Sequence, residues 1–217
     1  LVVATVTSEA DLAFLDREGA PTGIDVLEFR LDNLASELHR VEETASKLDS
    51  VRRLFTARHP AEGGIGDLGE KTRLELLRRF LPLAQLIDVE VRTLEAAAEL
   101  ISEAHEAEVQ VVASFHNFEE TPSIKEVAGA VAKTMEFGAD VAKIAAYLDE
   151  LPRLFELVAM VQASAIPMSA MGMGPLGKLS RLVFARGGSV LNYGYLQEAN
   201  APGQWEAVEL KRLLGEI

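Results

Sequence analysis

The chain has 217 residues, 48% hydrophobic and 25% charged, enough for one sizeable core. It contains no cysteine, which excludes disulfides, cysteine nucleophiles and thiolate metal sites. With 21 basic against 34 acidic residues, the formal charge of −13 disfavours nucleic acid and anionic membrane as partners, although a few arginines focused in a cleft can still hold an anionic small molecule.

The first β-branched run is "LVVATV" (1–6), leading into "TSEADLAFLD", where Thr7 or Ser8 is the expected N-cap. The second run is "DVLEFRL" (25–31) and the third "RRLFTAR" (52–58). After the third comes "PAEGGIGDLGE" (60–70), which reads as a mobile Gly-rich connection, and the helical pattern "ELLRRFLPLAQ" (75–85). "LIDVEV" (86–91) precedes the helical "TLEAAAELISEAHEA" (93–107). "VQVVASFH" (109–116) runs into the loop "NFEETPS" (117–123), with Ser123 or Thr121 as N-cap. "DVAKIAAY" (140–147) and "IPMSAM" (166–171) are the sixth and seventh runs. The glycines of "ARGGSV" suit a helix C-cap before the eighth run, "SVLNYGY" (189–195), and "QWEAVELKRLLGEI" (204–217) closes the chain as a helix.

Regular alternation of strand and helix implies a parallel sheet, because parallel strands need helical crossovers. Eight such units without a Pro- or Ser-rich linker predict a single α/β domain over 1–217, a (β/α)8 TIM barrel with its active site at the C-terminal mouth of the strands. The competing architecture is an open doubly wound sheet, which would carry a Gly-rich phosphate turn after its first strand; none is present. No secretory leader or membrane-spanning run is visible, so the expected location is the cytoplasm.

Side chains along a strand alternate faces. Glu28 and Arg30 are two apart, as are Thr56 and Arg58, Asp88 and Glu90, and Ser114 and His116, while Lys143 stands alone in its run. Each pair therefore shares a face, expected to be the barrel interior, with Leu27, Phe29, Val89, Val91 and Phe115 turned to the helices. All fall late in their strands, at the end where barrels assemble active sites.

A buried ammonium is costly unless paired or deprotonated. A free lysine titrates near ~10.4, so a nucleophilic amine at neutrality needs a drop of roughly three units. Desolvation and nearby arginines push in that direction, and such an amine forms Schiff bases with carbonyls. The alternative is a structural lysine paired with Asp88 or Glu90. His116, the histidine placed late in a strand, suits proton transfer; His39 and His105 lie in helical patterns and read as solvated, and His59 has no clear role. Asp88, Glu90 and His116 could in principle hold a cation, but a lysine and two arginines around the same cavity oppose it, so no metal is expected.

Six segments, in order, resemble type I 3-dehydroquinate dehydratase: "LEFRLD", "FTARHPAEGG", "SFHNFEETP", "AKIA", "SAMGMGPLGKLSRL" and "ANAPGQW". The resemblance implies a lyase of the shikimate pathway that dehydrates 3-dehydroquinate without cofactor or metal. It makes Lys143 the Schiff-base lysine, His116 the general acid and base, and Glu62 the partner that orients His116. It further implies Arg181 as the clamp on the substrate carboxylate, Gln204 as a contact from a closing loop, and Glu28, Arg30 and Arg58 as ligands of substrate oxygens. Met173 and Tyr193 become apolar walls. Asn200 stands where the family carries serine. A homodimer is also implied. A class I Schiff-base aldolase on a similar barrel would use the same lysine, although no phosphate cradle is evident after the seventh and eighth runs.

Overall fold

The computed structural model describes residues 1–199 and 203–216. Eight strands fall on the eight β-branched runs: β1 Val2–Val6, β2 Val26–Arg30, β3 Arg52–Thr56, β4 Leu86–Glu90, β5 Gln110–Asn117, β6 Val141–Tyr147, β7 Met168–Met173 and β8 Asn192–Tyr195. The connecting helices are α1 Glu9–Glu18, α2 Leu38–Ser46, α3 Glu70–Phe80, α4 Ala98–Glu106, α5 Ile124–Glu136, α6 Leu151–Ala163 and α7 Gly177–Arg186, with α8 Ala207–Glu216 after the last strand. All paired strands are parallel, in the order β7-β6-β5-β4-β3-β2-β1-β8.

The seam between β7 and β8 is closed by single bonds rather than a ladder. Val190 N donates to Met168 O at 2.9 Å, Ser169 Oγ to Leu191 O at 2.6 Å, and Ala170 N to Ser189 Oγ at 3.0 Å. The barrel, not the open doubly wound sheet, is the fold.

Two apolar layers follow from strand parity. Val3, Val26, Leu54, Leu86, Val112, Val141 and Leu191 fill the floor of the barrel. The opposite parity, including Leu27, Phe29, Phe55, Ile87 and Val89, packs against the helices. Phe55 stacks on Phe29 (centroids 5.3 Å apart) and on Phe80 of α3 (4.9 Å), tying helix to sheet. Each such buried ring contributes about 1.5–3 kcal/mol.

Ser8, not Thr7, caps α1 in a capping box with Asp11, and Ser123 caps α5 in another with Glu126. Thr121 instead donates to Tyr147 O at 2.7 Å. The helix expected over 75–85 begins earlier, at Glu70, and ends at Phe80. Pro82 then sits in a 3₁₀ turn over Leu81–Leu83, since it can donate no helical hydrogen bond. The helix expected from 93 starts only at Ala98, where the N-cap Ala97 offers no capping side chain. Among the described residues no helix is long and apolar enough to cross a membrane.

Candidate active site

Above the apolar floor, the same face turns polar on β2, β4, β5 and β6, while β7 and β8 present Met171, Met173 and Tyr193. A cleft of about 100 Å³ opens there, lined by Thr5, Glu28, Arg30, Arg58, Glu62, Gly63, His116, Phe118, Lys143, Ala145, Met171, Met173, Arg181, Tyr193 and Gln204. The structure thus brings together every residue expected at the site except Asn200, which lies outside the described residues.

Lys143 is 3% exposed. Its Nζ donates to Asp88 Oδ2 at 2.9 Å, reaches Glu28 Oε1 at 3.5 Å, and lies 4.1 Å from the centre of the Tyr193 ring. The sequence reading set arginines against this amine; the structure sets carboxylates beside it, with Arg58 behind Asp88. Of the two carboxylates offered as structural partners, Asp88 makes the contact, and Glu90 turns elsewhere.

Asp88 is the centre of a buried network. Arg58 grips it with Nη1 at 2.9 Å and Nη2 at 3.0 Å, and Ser114 Oγ donates to it at 2.5 Å. Burial alone would raise its carboxyl, but Arg58 and Lys143 prevail and hold it far below the usual carboxylate range. Arg58 Nη1 also reaches Glu90 Oε1 at 3.1 Å, and Arg73 of α3 donates to Glu90 Oε2 at 2.7 Å. With both terminal nitrogens engaged and 2% exposure, Arg58 is as much a brace for Asp88 as a wall of the cleft. These pairings also spread Asp88 and Glu90 over cations and turn His116 to another partner, so the cation-site geometry considered from the sequence is not formed; no metal-binding cluster occurs among the described residues.

His116 and Lys143 sit on neighbouring strands. The register pairs Ser114 with Lys143, which puts His116 one pleat nearer the mouth on the same face. Glu62 Oε2 accepts from His116 N at 3.1 Å and lies 2.9 Å from its Nδ1. Burial, then the Arg58 and Lys143 cations, hold the imidazole well below its ordinary range. Burial, helped by the Glu90 charge, pushes the Glu62 carboxyl up to about 7. The two groups touch and titrate as a pair, and the Nδ1 contact leaves Nε2 as the nitrogen available to a ligand.

Glu62 is placed by a tight turn. Residues Pro60–Glu62 form a 3₁₀ turn, and Gly64 is pressed so closely on the chain that an added Cβ would lie 2.2 Å from Arg58 O. The start of the segment expected to be a mobile connection is thus closely packed. Phe118, 45% exposed, lies nearly parallel to the His116 ring (centroids 6.2 Å apart) and covers Gly63.

Arg181 projects from α7. Nη1 donates to Tyr193 O at 2.7 Å and Nε to Gly203 O at 3.2 Å, both carbonyls. No acidic side chain pairs with it among the described residues, and burial draws its guanidinium down to about 10. A buried guanidinium without a carboxylate is prepared for an anionic ligand. Gly177 and Gly203 meet so closely that a Cβ on Gly177 would fall 2.8 Å from Gly203 Cα; this contact seats Gly203, the neighbour of Gln204, on the start of α7. Arg30 forks onto Asp32 at 3.0 and 2.8 Å, and Asp32 also accepts from Arg58 N and Ile65 N, both at 3.1 Å.

Sequence reasoning missed Asp32, Arg73 and Phe118. Asp32 continues the parity of Glu28 and Arg30 past the strand end. Arg73 lies in register with Leu77 and Phe80, a charge on the apolar stripe of its helix. Phe118 carries no such signal, because a lone aromatic in a loop has no periodicity to place it.

A family model for type I 3-dehydroquinase matches residues 2–217. The chain is 34% identical over 206 residues to the catabolic 3-dehydroquinate dehydratase of Acinetobacter baylyi, covering 89% of this chain and 76% of that one. It is 31% identical over 217 residues to the 3-dehydroquinate dehydratase of Methanocella arvoryzae, covering 99% and 96%. In structure it is similar to the type I enzyme of Clostridium difficile, solved with covalent modified comenic acid, with a TM-score of 0.87 at 27% identity over 99% of this chain and 91% of that one. The motifs, the barrel and these matches agree: the chain belongs to the type I 3-dehydroquinase family.

Proposed function

We propose that this 3-dehydroquinate dehydratase of the shikimate pathway works through a Schiff base on Lys143, with His116 as general acid and base. The observation that carries this reading is the pairing of a buried amine and a buried, Glu62-anchored imidazole on adjacent strands of one cleft that also holds Arg181, which has no acidic partner among the described residues.

The substrate carboxylate binds Arg181, and ring oxygens meet Glu28, Arg30 and Gln204 against the walls of Met173 and Tyr193. Lys143 Nζ passes a proton to His116 and, as the free amine, adds to the ring ketone. The carbinolamine takes a proton from His116 and loses water, leaving an iminium. That cation acidifies the adjacent carbon, and His116 Nε2 removes a proton there to give an enamine. The enamine electrons return toward the ring and expel the neighbouring hydroxyl, which leaves as water with the proton that His116 returns. Water then hydrolyses the conjugated iminium, releasing 3-dehydroshikimate and returning Lys143 as its ammonium. Asp88 and Glu28 keep the amine aligned throughout, and the low affinity of His116 for a proton leaves it a neutral base at the start of the cycle.

The test is the ultraviolet absorbance of the conjugated enone formed from 3-dehydroquinate. The wild-type chain is expected to produce it, and Lys143→Ala to leave the signal flat with unchanged circular dichroism. Turnover by a folded Lys143→Ala chain would refute the role of the amine.

A further inference from the structure

His59 is the residue on which the Glu62 turn is wound. Its Nδ1 accepts from Ala61 N at 3.0 Å, and its carbonyl accepts from Glu62 N at 2.8 Å and Gly64 N at 3.0 Å. Its own N–H donates to Glu90 Oε1 at 2.9 Å, which ties the start of the turn to the buried network under Lys143. A backbone N–H is always a donor, so Nδ1 must present its lone pair and the ring hydrogen must sit on Nε2. Pro60 then follows with its backbone angle already suited to the turn.

We propose that His59 is a positioning residue for the dehydration: its Nδ1 caps the turn that aims Glu62 at His116. The inference rests on the function proposed above, in which Glu62 anchors the acid–base imidazole. An imidazolium has no lone pair to offer, so protonation of His59 sets N–H against N–H at Ala61 and removes the cap. The charged groups around the ring are Arg73 and Glu70 of α3, Glu90 at the end of β4, and Arg92 just after it. Burial, then Arg73 and Arg92, outweigh the two carboxylates and hold the imidazole below its ordinary range, which preserves the cap into mild acid.

Asparagine offers Oδ1 as an acceptor close to the position of Nδ1 and never titrates; leucine has similar bulk and caps nothing. We expect His59→Leu to lower kcat about tenfold or more with little change in KM, because the base is misplaced rather than the substrate site lost. We expect His59→Asn to restore kcat at neutral pH, and its acid limb of log kcat to be shallower than the wild-type limb by one proton. Amide hydrogen exchange at Ala61 reads the cap without turnover: slow in wild type and His59→Asn, fast in His59→Leu. Wild-type kcat in His59→Leu, an equally steep acid limb in His59→Asn, or equal exchange in all three chains would each overturn the inference. Absence of turnover in the wild-type chain would instead count against the function proposed above, while the exchange measurement still decides whether the cap exists.

Discussion

Glu62→Gln separates what the acid–base pair costs the fold from what it gives the reaction. The Glu62 carboxyl is pushed from 4.5 to about 7, chiefly by burial. A group whose folded pKa is raised holds its proton longer in the native state. Its stabilising contribution is full below the unfolded value and is lost as pH rises through about 7. A shift of this size corresponds to about 3 kcal/mol of stability lost between acid and mildly alkaline solution. His116 titrates with the opposite sign and masks the trend in the wild-type chain alone. Glutamine keeps an acceptor for His116 N–H and carries no charge; because the imidazole contacts Glu62 and its own titration moves with that charge, the unfolding comparison is repeated with His116→Asn in both chains to take the histidine out of the difference. Urea unfolding across the range from about pH 4 to about pH 8 should show that difference growing by about 3 kcal/mol in favour of glutamine. At the same time kcat should fall, because an amide stabilises an imidazolium less well than a carboxylate does. A difference independent of pH would refute the reasoning, since it would mean that burial of Glu62 does not oppose its charge.

Two further substitutions probe the cleft. Arg181→Met removes the guanidinium whose partners among the described residues are the carbonyls of Tyr193 and Gly203; KM should rise about a hundredfold with kcat less affected, the loss of a charge-assisted fork of about 3 kcal/mol, and steady-state kinetics with an unchanged KM would contradict its place as the carboxylate clamp. Gly64→Ala drives a Cβ to 2.2 Å from Arg58 O and 2.9 Å from His59 C, both backbone atoms; the cost should be about 2 kcal/mol or more with a marked loss of kcat, and a wild-type melting curve would show that the turn is not rigid.

The fold was largely legible because strand and helix textures alternate and because parity is a strict consequence of strand geometry. Glu28, His116 and Lys143 share a cleft for that reason, and Asp88, of the same parity, lies directly against Lys143. Boundaries were less legible where local signals conflict. Arg58 lies beyond the end of β3, since its backbone N–H turns to Asp32 Oδ1. The start of α3 was hidden by the glycines before it. Parity could collect the charged groups but not allot their partners. That Asp88 rather than Glu90 meets Lys143, and that Arg73 reaches Glu90 from a helix outside the sheet, depend on side-chain reach in three dimensions. Glu62 and Arg181 lie off the strands, so only the family resemblance pointed to them.

The central claim is a covalent bond between Lys143 and the substrate ketone. Borohydride reduction of the chain during turnover of 3-dehydroquinate, followed by peptide mass mapping, tests it most directly. The account predicts inactivation together with a mass increase on the peptide that contains Lys143. Continued activity with no adduct, or an adduct carried by a different lysine, would contradict it.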